Sequence, residues 1–234
     1  MSKKKIFYLL VFFSVLAVFI IFIKPRNING EVSMAEEISL TPPKLEGTQT
    51  LEETLNRRRS IRDFKDEPIS FDEFSQLLWA IQGITDKTNG FRTAPSAGAL
   101  YPLEIFVVVG NVVGLKPGVY RYIPRTHSIK KHLDGDKRKE LAHSALGQES
   151  IIGCAVDFVI TGVYSRTKWK YGERAERYVW LEAGHSAQNL LLQATALNLG
   201  AVPIGAFFDD KVKGTLKLKE EEPLYIIPVG RKAQ

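Results

Sequence analysis

The chain has 234 residues, 44% of them apolar and 25% charged, the balance of a globular protein with one sizeable core rather than a disordered or fibrous chain. Its formal net charge of +6 does not point to a nucleic-acid partner: Lys3, Lys4, Lys5, Lys24 and Arg26 supply five of the 32 basic side chains, and the rest nearly balance the 26 acidic ones. Cys154 is the single cysteine, so no intrachain disulfide supports the fold.

From Ile6 to Ile23 the sequence reads IFYLLVFFSVLAVFIIFI, eighteen residues without a charge. As a helix this stretch would be about 27 Å long, close to the thickness of a bilayer core. It is longer than the apolar region of a cleaved signal peptide and lacks a small-x-small exit. Residues 1–26 are therefore expected to be an N-terminal transmembrane anchor, with a signal segment as the alternative. The lysine and arginine count favours an extracytoplasmic domain. Residues 27–50, polar and carrying Pro42 and Pro43, read as a tether and docking arm, leaving 51–234 as the main domain.

LEETLNRRRS predicts a short helix ending in a basic cluster. ISFDEFSQLLWAIQG predicts a second one, with Ser70 as N-cap and Phe74, Leu77, Leu78 and Ile81 on one face. Four β-branched or aromatic runs bounded by glycine or proline predict strands at 103–109, 118–123, 156–162 and 223–230. KRKELAHSALG (137–147) reads as a surface helix, and PRTHSIKKHLDGD as a polar loop holding His127 and His132. Helices mixed with strands at hairpin-length spacing indicate an α+β fold.

From about Glu176 to Asn198 there is no proline, and Gly200 stands where a glycine cap would. At 100° per residue Tyr178, Glu182, His185, Ser186, Asn189 and Gln193 share one polar stripe on an otherwise apolar helix. Such a stripe must find partners, in an internal hydrogen-bond ladder or a dimer seam. A metal reading is also open, because Glu182-x-x-His185 has the spacing of carboxylate-bridged di-iron bundles and Glu140-x-x-His143 repeats it. The second copy lies in a short lysine-rich segment between strands, a poor wall for a buried metal, so no metal is assigned. No G-x-S-x-G, Walker loop or G-x-G-x-x-G occurs, which disfavours hydrolase, nucleoside triphosphatase and Rossmann readings.

Three elements suit a flat ligand with a phosphate tail. RRRSIR (57–62) gathers four guanidinium groups around Ser60, although a helix C-terminus also favours arginine for its dipole alone. RTAPSAGALYP (92–102) and GAVPIGAF (200–207) are small-residue loops whose backbone could approach a ligand closely.

RRSIRDF, LLWAIQGIT, FRTAPSAGALYPLEIFVVV, GVYRY, ALGQ, KYGERAERYVWLEAGHSAQNLLLQATALNLGAVPIGAF and PLYIIPVGR together resemble the nitroreductase family, most nearly its SagB-type (SagB/ThcOx) dehydrogenases, from about residue 50 to 231. The resemblance implies a nitroreductase-like α+β fold with a central, mostly antiparallel sheet flanked by helices. It also implies an intertwined homodimer with one FMN per active site between the subunits. By position, Arg58, Arg59, Ser60 and Arg62 match the motif that grips the FMN phosphate and ribityl chain, and Arg231 a basic residue near the phosphate. Pro95, Ser96, Ala97, Gly98 and Leu100 match the loop beside the flavin ring. Gln148 matches a glutamine near flavin and substrate, and Pro203, Ile204 and Gly205 match the loop whose backbone N–H faces flavin N5. Gly205 stands where typical relatives carry a glutamate, so that side chain's contact does not transfer. Lys170-Tyr171 stands where the azoline-oxidising branch has a Lys-Tyr pair implicated in substrate deprotonation.

The function implied is hydride transfer between flavin N5 and an organic substrate, small or peptide-derived, with azoline-to-azole oxidation as one example. The alternatives are an NAD(P)H-dependent reductase of nitro compounds, quinones or enones, and a flavin-binding or partner-binding module without turnover.

Overall fold

A computed structural model describes residues 37–233 of the chain. In order they form β1 (Glu37–Ser39), α1 (Leu51–Arg57), α2 (Phe71–Gln82), β2 (Ile84–Asp86), β3 (Phe91–Arg92), β4 (Leu103–Val109), β5 (Gly118–Ile123) and β6 (Ser128–Asp134). Then come α3 (Arg138–Ser144), α4 (Glu149–Gly153), β7 (Val156–Gly162), α5 (Ser165–Tyr171), α6 (Ala175–Ala196), β8 (Leu199–Ala201), α7 (Asp209–Leu216) and β9 (Glu222–Arg231).

Seven strands make one sheet in the order β1-β6-β5-β4-β7-β9-β8, every adjacent pair antiparallel; β2 and β3 form a separate hairpin. The fold is thus α+β, a central antiparallel sheet flanked by helices. Strand alternation divides β4 between two cores. Leu103, Ile105, Val107 and Val109 pack with Phe74, Leu77, Leu78 and Ile81 of α2 and with Val179, Ala183 and Leu190 of α6. Phe106 and Val108 pack on the other face with Leu141, Ile151, Val212 and Leu216 of α3, α4 and α7. Both early helices begin in a capping box. At α2 the Ser70 Oγ accepts from Glu73 N at 3.1 Å while Glu73 Oε2 accepts from Ser70 N at 2.8 Å.

The structure describes part of the 27–50 arm and departs from the sequence expectations at three places. Residues 37–39 join the sheet edge, Leu40 is buried, and Lys44 N donates to Gln76 Oε1 at 2.9 Å, so this part of the arm is docked along its length. The His127–Asp134 segment is a strand for most of its run rather than a loop. The left-handed residue that ends α6 is Asn198, at φ +59°, and not Gly200, which lies in β8.

The third departure corrects the membrane-anchored, extracytoplasmic placement. Among the described residues no helix is long and apolar enough to cross a membrane. The 22-residue α6 has the length, but it carries Glu176, Arg177, Glu182 and His185. The Ile6–Ile23 stretch on which the anchor was expected lies outside the described residues.

Candidate active site

The basic segment after α1 is held against the sheet by backbone contacts. Ser60 forms a parallel bridge with Ala201, Ile61 N donates to Ala201 O at 2.9 Å, and Lys65 N donates to Arg231 O at 3.0 Å. Two glycines make room for it: a Cβ at Gly200 would stand 2.8 Å from Ile61 Cγ2, and one at Gly230 would stand 3.1 Å from the Phe64 ring. This pairing brings Arg58, Arg59, Ser60 and Arg62 beside the strand that runs on to Pro203, Ile204 and Gly205. Ile204 is fixed by reciprocal backbone bonds with Ile226 at 2.8 and 3.0 Å. Gly205 and Ala206 beyond it are exposed, and the amides of residues 205–207 have no acceptor among the described residues.

No carboxylate forms an ion pair with Arg57, Arg58, Arg59 or Arg62 among the described residues. Lys232 joins the cluster from the end of the sheet. Its ammonium donates to Asn198 Oδ1 at 3.1 Å, and burial together with the nearby Arg57 charge pushes its pKa below the usual lysine value. Uncompensated cations beside free backbone amides fit a dianionic phosphate followed by a polar, ring-bearing body.

A second cluster forms around the turn that follows β3. Gly98, Ala99 and Tyr101 are all left-handed, at φ +63°, +53° and +47°. Two of them carry side chains, so the turn is strained and needs outside support. Tyr101 receives most of it: its N–H donates to Ser96 Oγ at 2.9 Å, its carbonyl accepts from Arg166 Nη1 at 3.3 Å, and its hydroxyl accepts from Arg92 N at 3.1 Å. The Arg92 guanidinium lies over its ring, 4.4 Å from the centroid.

Lys170 and Tyr171, the last turn of α5, point at this turn. A Cβ at Gly98 would stand 2.7 Å from Lys170 Nζ and 2.7 Å from Tyr171 Oη, a space only glycine leaves free. Lys170 Nζ is 5.5 Å from the Tyr171 ring centroid, and Tyr178 packs edge-on against that ring at 4.9 Å. An amine and a phenol thus meet over an exposed glycine, an arrangement suited to moving a proton on a ligand laid against the turn.

Beneath the turn lies the polar stripe of α6. Glu182 is buried, and Gln82 Nε2 donates to Ser186 Oγ at 2.8 Å and to Glu182 Oε1 at 3.4 Å. Gln82 Oε1 accepts from Arg92 Nη1 at 2.9 Å. Burial raises the Glu182 pKa to about 7, with the Ser96 hydroxyl, the Arg92 charge and Gln82 holding it back. His185, three residues along, is exposed, so the Glu-x-x-His spacing does not bring its two side chains to one centre. Asn189 Nδ2 donates to Thr93 O at 3.2 Å.

Two expected site residues are not gathered with the rest. The Arg231 guanidinium makes a two-pronged ion pair with Glu73 at 2.8 and 2.7 Å, whereas Lys232, one residue on, faces the arginine cluster. Gln148 lies at the start of α4, and its side chain has no hydrogen bond among the described residues. Its turn is linked to the 203–208 loop through Phe208 N donating to Ser144 O at 2.9 Å. Sequence reasoning missed Arg92, Tyr101 and Lys232 as site residues. For Glu182 the signal was there, a carboxylate inside an apolar helix, but it was read as a ladder or seam.

The sequence profile of the Nitroreductase family matches residues 55–231. The chain belongs to the nitroreductase family. MJ1384 of Methanocaldococcus jannaschii, assigned to the nitroreductases, is 46% identical over 201 residues, 86% of this chain and 100% of that protein. The Microcin B17-processing protein McbC of Escherichia coli is 26% identical over 65% of this chain and 58% of its own length, so the chain spans little more than half of that relative. A crystal structure of a nitroreductase-family protein from Ralstonia eutropha superposes with a TM-score of 0.74 at 29% identity, covering 87% of this chain and 93% of the other.

Proposed function

We propose that this oxidoreductase is an FMN-dependent dehydrogenase of the SagB type, acting on a small-molecule or peptide-derived substrate. The observation that carries the reading is the convergence of Lys170 Nζ and Tyr171 Oη on Gly98. A reductase fed only by a nicotinamide needs no base at that edge, whereas oxidation of a ring C–H does. Likeness to McbC, named for the processing of microcin B17, favours the same branch.

FMN, when bound, supplies the two-electron acceptor, taking hydride at N5. Arg58, Arg59, Ser60, Arg62 and Lys232 would hold its phosphate, and the amides from Gly205 onward would be available to the ring. The Ser96–Leu100 turn would support the substrate beside it. Lys170 accepts the substrate proton, and Tyr171 fixes the direction of the amine.

The phosphate cluster and the Gly98 turn are joined by no hydrogen bond or ion pair among the described residues, and α1 and α6 expose Leu51, Leu55, Trp180 and Leu181. Both features support a homodimer in which one subunit's cluster faces its partner's turn. The likeness to MJ1384 favours a second reading, an NAD(P)H-dependent reductase of nitro compounds, quinones or enones.

The purified full-length protein separates these. A flavin absorption band with one FMN per chain, bleached anaerobically by a thiazoline donor and not by NADH or NADPH, is the expected result. Rapid bleaching by NAD(P)H alone supports the reductase, and a colourless protein that cannot be reconstituted with FMN overturns both.

A further inference from the structure

Helix α5 brings Lys170 and Tyr171 over Gly98, yet little packing holds the helix itself. It has seven residues, its first turn has no side-chain cap, and Thr167 is the only one of the seven that is buried. A helix this short is not stable by itself, so its position depends on what ties it to the rest of the fold. Among the described residues neither the Lys170 nor the Tyr171 side chain makes a hydrogen bond or ion pair; their neighbours are each other's side chains and the Tyr178 ring.

Arg166, one turn before Lys170 on the same helix face, supplies the tie. Its Nη1 donates to the carbonyl of Tyr101 at 3.3 Å, and its Nη2 forms an ion pair with Glu104 Oε1 at 2.5 Å. Glu104 lies on β4 and is only 8% exposed, and its other oxygen accepts from Arg121 Nε of β5 at 2.9 Å. One guanidinium therefore touches the left-handed turn with one prong and the sheet, through a braced carboxylate, with the other. Its planar fork fixes the distance between the two, which a flexible ammonium does not do. Tyr101 needs such a hold, because it is left-handed at φ +47° and precedes Pro102, which narrows its backbone choices further. A backbone bond runs alongside, Val163 N donating to Pro102 O at 2.9 Å just before the helix begins.

We propose that Arg166 is a positioning residue of this site, bridging the Tyr101 carbonyl and the Glu104 carboxylate so that α5 holds Lys170 against the left-handed turn. The inference deepens the flavin reading of the same site. Its catalytic consequence rests on that reading and its structural one does not.

The test compares the full-length parent with Arg166→Gln, Arg166→Lys and Lys168→Gln, the last removing an exposed charge from the same helix without touching the bridge. Hydrogen exchange without added FMN reads the turn. In Arg166→Gln the Ala99 and Tyr101 amides are expected to exchange about tenfold faster, with those of β4 unchanged, as fits the loss of one charge-assisted hydrogen bond. Arg166→Lys keeps the charge but not the fork and is expected to exchange faster than the parent, whereas Lys168→Gln should match the parent. In the FMN-loaded protein Arg166→Gln is expected to slow flavin reduction by a saturating thiazoline donor about tenfold, with FMN affinity within about twofold of the parent. Added to Lys170→Ala, the same substitution should cost less than about twofold, because a residue that acts through Lys170 has nothing left to position.

Unchanged exchange at Ala99 and Tyr101, reduction at the parent rate, or a full tenfold loss on top of Lys170→Ala each overturns the inference, and so does a Lys168→Gln protein that behaves like Arg166→Gln. If Arg166→Gln does not fold, Arg166→Lys decides, and parent-like exchange and reduction in it overturn the inference equally. A protein whose turn opens in Arg166→Gln but which takes up no FMN overturns the flavin reading and leaves the bridge standing.

Discussion

The arginine cluster and the Gly98 turn are held in opposite ways. At the cluster the charges are on exposed side chains, and what is fixed is the backbone behind them, through the Ser60 bridge to Ala201 and the Ile61 bond at 2.9 Å. At the turn the backbone itself is strained, and a partly buried network of Gln82, Arg92, Glu182 and Tyr101 supports it. A phosphate is bound by summed charge and tolerates small displacements of any one arginine. Proton transfer requires heavy atoms within about 3 Å of each other and does not tolerate them. Placement precision therefore needs buried support, whereas affinity needs only uncompensated charge.

The largest effect is expected at the cluster. Each charge-assisted hydrogen bond contributes about 1.5–3 kcal/mol, so Arg58→Ala combined with Arg62→Ala should weaken FMN binding by about a hundredfold or more, with the melting temperature little changed. A flavin fluorescence titration checks it, and parent-like affinity would show that these arginines do not hold the phosphate.

At the turn the pattern should reverse. Gly98→Val puts a β-branched residue at φ +63° and a Cβ 2.7 Å from Lys170 Nζ and Tyr171 Oη. Turnover of a thiazoline donor should fall at least about tenfold, while FMN affinity stays within a few-fold of the parent. Loss of both together would mean that the two regions are not separable.

Asp157 is the control for Glu182, a second buried carboxyl but remote from the turn. It is fully buried on β7, neither carboxylate oxygen has a hydrogen-bond partner among the described residues, and burial pushes its pKa well above the usual range. Native Asp157 keeps a proton that the unfolded chain releases above about pH 4, so its presence lowers stability as pH rises through neutrality. Asp157→Asn should flatten that decline, read as a higher urea midpoint at pH 8 than the parent, with activity unchanged. An unchanged pH dependence of the midpoint would contradict the protonated native state.

The smallest effect is on salt. Between 0.05 and 0.5 M ionic strength, FMN affinity should fall a few-fold because the cluster is exposed, and turnover at saturating FMN should hold. Equal loss of both would erase the distinction.

The legibility of these regions in the sequence follows from the range of the interactions that build them. Strands at 103–109, 118–123 and 156–162 and the Ser70 cap are local patterns, and the structure reproduces them with the same bounds. The pairing of RRRSIR with Ala201 spans some 140 residues, and no local pattern in either segment announces it. Arg231 and Lys232 are adjacent, and which one meets the arginine cluster depends on where β9 ends and how the chain leaves it, which composition does not encode. Glu182 looked like part of a seam because its partners Gln82, Arg92 and Ser96 lie 80 to 100 residues earlier. The left-handed Ala99 and Tyr101 have no sequence signature, because neither residue type favours that conformation.

The most direct test compares the parent with Lys170→Ala, both loaded with FMN and mixed anaerobically with a thiazoline donor while the flavin absorbance is followed. The parent is expected to bleach, and Lys170→Ala to hold FMN with parent affinity yet bleach at least about a hundredfold more slowly. Bleaching of Lys170→Ala at the parent rate would contradict the role of Lys170 as proton acceptor.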